Sequence, residues 1–98
     1  MDQEQARFRF TVCKVVKNGE DGYAITVHVK ITDPSKKIHF DGPVIVEMNT
    51  IGIFPRPSDI AKATPYKGIR GKLGAEIKRY IKIQKKFIPE LAEDDYSL

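Results

Sequence analysis

Every second residue from Ile25 to Ile31 is a β-branched aliphatic: Ile25, Val27, Val29 and Ile31 alternate with Thr26, His28 and Lys30. That period of two places the apolar set on one side of an extended strand, whereas a helix would scatter it around its circumference. A lone strand of this kind cannot persist in water, so the chain must supply strands beside it and a layer over its apolar side. Arg7 to Val16 is the first candidate neighbour, with Phe8, Phe10 and Val12 alternating with Arg9, Thr11 and Cys13. Lys14 breaks that alternation before Val15 and Val16, which marks a bulge or a strand end. Asn18-Gly19 and Asp21-Gly22 are turn residues that tolerate positive φ, so the two strands are expected to form a hairpin.

Further along, Asp33 to Lys37 reads as a second turn, followed by a short strand Ile38 to Phe40 and a break at Asp41-Gly42-Pro43. Val44 to Met48 is too apolar to alternate cleanly and is expected to be a central strand, with Ile51 to Phe54 continuing it. Pro55-Arg56-Pro57 closes the β-rich half, since proline has no N–H for a ladder; the triplet reads as a stiff linker or a polyproline-II ligand. Ser58 to Ala63 fits one capped helical turn, and Thr64-Pro65 restarts the chain.

The final element reads as a helix over Lys72 to Phe87. At 100° per residue Leu73, Ile77, Tyr80, Ile81, Gln84, Phe87 and Ile88 share one side. Lys78, Arg79, Lys82, Lys85 and Lys86 occupy the other. The stripe is expected to dock on the sheet, with Pro89 ending the helix. The predicted fold class is therefore α+β: an antiparallel sheet of four to five strands with a C-terminal amphipathic basic helix packed on one face. The 98 residues suffice for one domain. Its expected limits are 7–89, between a flexible N-terminus (1–6) and an acidic flexible tail (90–98) carrying Glu90, Glu93, Asp94 and Asp95.

Chemistry is constrained by what is scarce. Cys13 is the only cysteine, which excludes an internal disulfide and a multi-cysteine zinc site. His28 and His39 do not stand at metal-ligand spacing. The carboxylate pairs Glu20/Asp21 and Asp94/Asp95 fall in a turn and in the tail, where nothing separates their pKa values for acid–base work. The expectation is a protein with no enzymatic activity, no cofactor and no metal. No apolar run approaches the ~18 residues of a membrane span. The polar start lacks a secretory signal, so a cytoplasmic protein without membrane attachment is expected.

Charge is the informative property. Between Ile60 and Ile88 stand nine basic residues against Glu76 alone, a balance of +8, which leaves −4 for the rest of a chain whose total is +4. Such asymmetry marks an anion-binding surface or a solvated helix face. The candidate surface comprises Lys67, Arg70, Gly71, Lys72, Lys78, Arg79, Lys82, Lys85 and Lys86. Gly68, Gly71 and Gly74 recur every third residue just before the expected helix. They suggest a glycine-rich basic loop that lets backbone N–H groups approach an anion, or a connector that permits tight packing. Tyr66 is the aromatic expected at the surface beside it. The leading functional reading is a non-catalytic module that contacts DNA or RNA phosphates. The alternative is an interaction module, an inhibitor or accessory subunit, that meets an acidic protein surface.

Gly71-Lys72-Leu73-Gly74-Ala75-Glu76-Ile77-Lys78 resembles the Gly-x-x-Gly loop and following helix of KH domains, which clamp single-stranded nucleic acid. A KH fold also places a helix before that loop and a strand after it, and the prolines at 55, 57, 65 and 89 leave little room for either. The order of strands followed by a helix is similar to that of the SpoVG family of small nucleic-acid-binding regulators, as are Gly52-Ile53-Phe54, Asp59-Ile60-Ala61 and Arg70-Gly71-Lys72. That family's continuous signature after Gly-x-Phe is missing, so its function is not carried over.

Overall fold

The computed structural model describes residues 5–92. Four strands, β1 (Arg7–Asn18), β2 (Gly22–Thr32), β3 (Ile38–Met48) and β4 (Ile53–Pro55), form one antiparallel sheet in sequential order. Three helices follow: α1 (Pro57–Ala63), α2 (Lys67–Gln84) and α3 (Pro89–Ala92), with a single 3₁₀ turn at Lys85–Phe87 between the last two. The architecture is the expected α+β layer pair, with four strands. Ile25, Val27, Val29 and Ile31 of β2 and Val44 and Val46 of β3 are buried against Ile69, Leu73, Ile77 and Ile81 of α2. The opposite side of the sheet has no covering layer among the described residues, which is why His28 and Lys30 can alternate with fully buried neighbours.

The β1–β2 hairpin contains the bulge that Lys14 announces: the register steps from Val12↔Val27 to Lys14↔Thr26, leaving Cys13 as the extra, exposed residue. β1 does not end there but runs on to Asn18. The two hairpin glycines serve different needs. Gly19 has φ +78°, the left-handed conformation of the turn, whereas a Cβ on Gly22 would lie 2.7 Å from the carbonyl oxygen of Asn18.

β3 corrects the sequence reading. Ile38–Phe40 and Val44–Met48 are one strand that passes straight through Asp41-Gly42-Pro43. Ile45 directs both backbone groups away from β2, its oxygen to the Arg56 N–H and its N–H to Asp59. Pro43, two residues earlier, turns its nitrogen to that same side, where β4 does not reach, so no ladder bond is lost. Asn49 to Gly52 interrupts the ladder as a turn before β4, with Asn49 Oδ1 accepting from the N–H groups of Ile51 and Gly52 at 2.8 and 3.2 Å. Pro55 is the last residue of β4 and Pro57 the first of α1, so the triplet is neither a free linker nor a polyproline-II segment. The N-cap of α1 is Arg56, without a side-chain cap.

Ala6 and Leu91, just outside the strands and α2, are both 1% exposed and belong to the core. Residue 90 lies in α3, and acids 93–95 fall outside the described residues.

Candidate functional site

The helix over residues 72–87 and the glycine-rich loop before it are replaced by one helix, α2, which starts at Lys67 and ends at Gln84. Gly68, Gly71 and Gly74 lie inside it, so no loop is available to clamp a ligand in the KH manner. Ile69 explains the early start. It extends the stripe of Leu73, Ile77 and Ile81 by one turn, and burying it offsets a helix-interior glycine cost of about 1 kcal/mol each. Pro65 and the extended Thr64 set the direction of approach, with the Arg70 N–H donating to the Tyr66 oxygen at 2.9 Å. The early end has a similar cause. The 3₁₀ turn rotates the chain so that Ile88 and Leu91 return to the core, and Phe87, expected on the docking stripe, is instead 72% exposed.

The nine expected contact residues separate into two groups. Lys67, Gly71, Lys78, Arg79 and Lys82 are exposed on the side of α2 away from the sheet, and Lys86 is exposed in the 3₁₀ turn that follows it. Among the described residues none of these cations forms an ion pair. Arg70, Lys72 and Lys85 are half-buried; of these only Lys85 was expected on the outward side of the helix. Arg70 Nε donates to the Thr64 carbonyl at 2.7 Å and ties α2 to the preceding turn. Lys72 Nζ donates to the Ala6 carbonyl at 3.1 Å, lies 5.5 Å from the Phe8 ring centroid and is 3.9 Å from Glu76 Oε2. These two are held by the fold, as their helical phase near the core edge requires.

Exposed rings stand at both ends of the cationic face. Tyr66, 53% exposed, precedes the first turn of α2, and Phe87 follows its last. An 18-residue helix separates them, a span of about 27 Å. Tyr80, by contrast, packs on Phe10 with ring centroids 5.3 Å apart.

A second group of cations escaped the sequence reading. Arg7, Arg9 and Lys30 lie on the uncovered side of the sheet, and the register sets Arg9 directly opposite Lys30. The signal was present: the polar positions of β1 and β2 both carry positive charge once the hairpin is aligned. Asp41 is opposite Lys30 on the next strand, but its carboxylate pairs with His28 Nε2. Among the described residues no cluster of three or more His, Cys, Asp or Glu side chains is arranged to hold a metal ion. No helix of the described residues is long and apolar enough to cross a membrane. Comparison with protein-family models, with curated proteins and with solved structures finds no match.

Proposed function

We propose that this chain is a non-catalytic, cytoplasmic nucleic-acid-binding module whose contact surface is the outer face of α2 and the 3₁₀ turn after it, with Lys67, Lys78, Arg79, Lys82 and Lys86 meeting DNA or RNA phosphates. The observation that carries the reading is the exposure of these five cations, four on α2 and Lys86 on the 3₁₀ turn that follows it, without a carboxylate partner among the described residues. A cationic row of this kind attracts a polyanion by releasing its condensed counterions. Tyr66 and Phe87 support the same reading, since exposed rings at both ends of the row offer stacking faces for unpaired bases. Gly71 keeps the helix backbone approachable beside Lys67 and Lys78.

The test is the salt dependence of oligonucleotide binding, read by fluorescence anisotropy with single-stranded and duplex probes. Affinity should fall steeply with salt, and each phosphate contact removed should flatten the log–log slope by about 0.7 to 0.9. Lys82→Glu with Lys86→Glu should abolish binding while circular dichroism and melting temperature stay unchanged, because neither side chain supports the core. Wild-type protein that binds neither probe at low salt would overturn the reading. So would a reversed variant that ejects a stoichiometric acidic protein and had never bound nucleic acid.

A further inference from the structure

The uncovered side of the sheet ends in a cleft of about 630 Å³ where β1 begins, β2 ends and the β2–β3 turn folds over. Four cations, Arg7, Arg9, Lys30 and Lys36, line it, with Asp33 as the only acid. One carboxylate stands against this positive charge, and Asp33 holds it in hydrogen bonds within its own turn. Its Oδ1 accepts from the Ser35 hydroxyl at 2.6 Å and from the N–H groups of Ser35 and Lys37 at 2.9 and 3.0 Å, while Oδ2 lies 2.9 Å from His39 Nε2. Arg9 and Lys30 face each other across the ladder, an arrangement of like charges that destabilises a sheet unless something of opposite sign lies between them. Asp41 is engaged with His28, and neither Arg9 nor Lys30 forms an ion pair among the described residues.

The cleft is not uniformly polar. Ile38, which pairs with Thr32, contributes apolar surface to its lining and is 51% exposed. The volume lies within the range of small-molecule sites, about 300–1,000 Å³. Lys36 reaches the cleft from a backbone with φ +71°, a conformation that glycine adopts far more readily than lysine.

We propose that this cleft binds a nucleotide, with its phosphoryl groups held between Arg9, Lys30 and Lys36 and its ring against Ile38. A phosphoryl chain supplies the missing anionic partner of the Arg9–Lys30 pair, and a flat ring covers the aliphatic surface that water otherwise wets. The site is on the other side of the sheet from the cationic face of α2 and does not depend on that face.

ATP, inorganic pyrophosphate and a 5′-phosphorylated oligonucleotide are the probes, titrated into the full chain and followed by amide chemical shifts. ATP should produce saturable shifts at Arg9, Lys30 and Lys36, and bind more tightly than pyrophosphate because the ring adds contact. Arg9→Gln with Lys30→Gln should weaken ATP binding about tenfold or more, whereas Lys82→Glu with Lys86→Glu should leave it unchanged. Lys36→Gly is the control for folding: it relieves the left-handed lysine, so the melting temperature should not fall while ATP affinity does. Shifts confined to α2, equal affinity for ATP and pyrophosphate, or unaltered ATP binding in the Arg9/Lys30 variant would each overturn the assignment. If the 5′-phosphorylated oligonucleotide, but not ATP, shifts the cleft, the free-nucleotide site is overturned and the phosphates bound there are those of a strand. Loss of oligonucleotide binding at α2 has no bearing on the ATP result, so the two sites fail independently.

Discussion

The carboxylate of Asp59 accepts a hydrogen bond from the backbone N–H of Ile45 at 2.8 Å. Asp59 lies in the first turn of α1 and Ile45 in the middle of β3, so one side chain completes the ladder where β4 has ended. The adjoining Arg56 N–H donates to the Ile45 oxygen at 2.9 Å. Both backbone groups of Ile45 are thereby satisfied by the segment that leaves the sheet, which fixes α1 against β3. Asp59→Ala should cost about 1–3 kcal/mol, since a half-buried N–H loses a charged acceptor. Urea denaturation should show a lower midpoint at constant slope; an unchanged midpoint would mean that water substitutes for the carboxylate at no cost.

Ile77 is fully buried at the centre of the α2 stripe, one residue from exposed Lys78. Ile77→Ala should destabilise by about 2–4 kcal/mol through lost transfer energy and a residual cavity. Lys78→Ala should stay within about 0.5 kcal/mol. Comparable losses in the two variants, measured by thermal unfolding, would contradict the docking of α2 through this stripe.

Lys72 and Lys82 carry the same charge but are held differently. Lys72→Ala removes the bond to the Ala6 carbonyl and the contact over Phe8, and should cost about 1–2 kcal/mol. It should change the salt slope of oligonucleotide binding less than Lys82→Ala, which should leave the melting temperature unaltered. The opposite ranking would place Lys72 in the contact surface.

Gly71 and Gly74 occupy helical positions where an added Cβ meets nothing within 4 Å. Replacing either by alanine should stabilise the protein by about 0.5–1 kcal/mol, because alanine loses less backbone freedom on folding. If Gly71→Ala raises the melting temperature and weakens oligonucleotide binding together, the glycine is there for close approach of a ligand. Destabilisation by either variant would show that the helix is not formed at this end.

The Asp33 carboxyl is held well below the usual carboxylate range, chiefly by the Ser35 hydroxyl and then by His39, with the Lys37 and Ser35 N–H groups adding to it. Because its folded-state pKa is depressed, its contribution to stability is present above the ordinary value of 3.8 and is lost as pH falls towards the folded value. Asp33→Ala should therefore melt below wild type at pH 7, and the gap should narrow steadily below about pH 4. A gap that is constant with pH would assign the turn's stability to groups other than this carboxylate.

Local pattern was sufficient to identify the β1–β2 hairpin, the irregularity at Lys14, the buried side of β2 and the Leu73–Ile77–Ile81 stripe, because each depends only on the period of apolar residues along a few turns or pleats. Three matters needed the assembled chain. Gly68 to Gly74 is helical because Ile69 finds a core to enter, a gain that no local propensity contains. Asp41-Gly42-Pro43 stays in strand because Pro43 turns its nitrogen to the side that β4 leaves open, which depends on where a strand ten residues later ends. Lys72 and Arg70 are held by carbonyls of residues 6 and 64, while Lys82 and Lys86 remain exposed. Helical phase alone ranks these four lysines and arginines by angle; only the position of the sheet edge and the returning chain decides which have a partner within reach. The same holds across the hairpin, where Arg9 and Lys30 are 21 residues apart in sequence and directly opposed in the register. Apolar periodicity is a property of the segment and survives in the sequence. Charge juxtaposition is a property of the pairing between segments, so it exists only once the fold has formed.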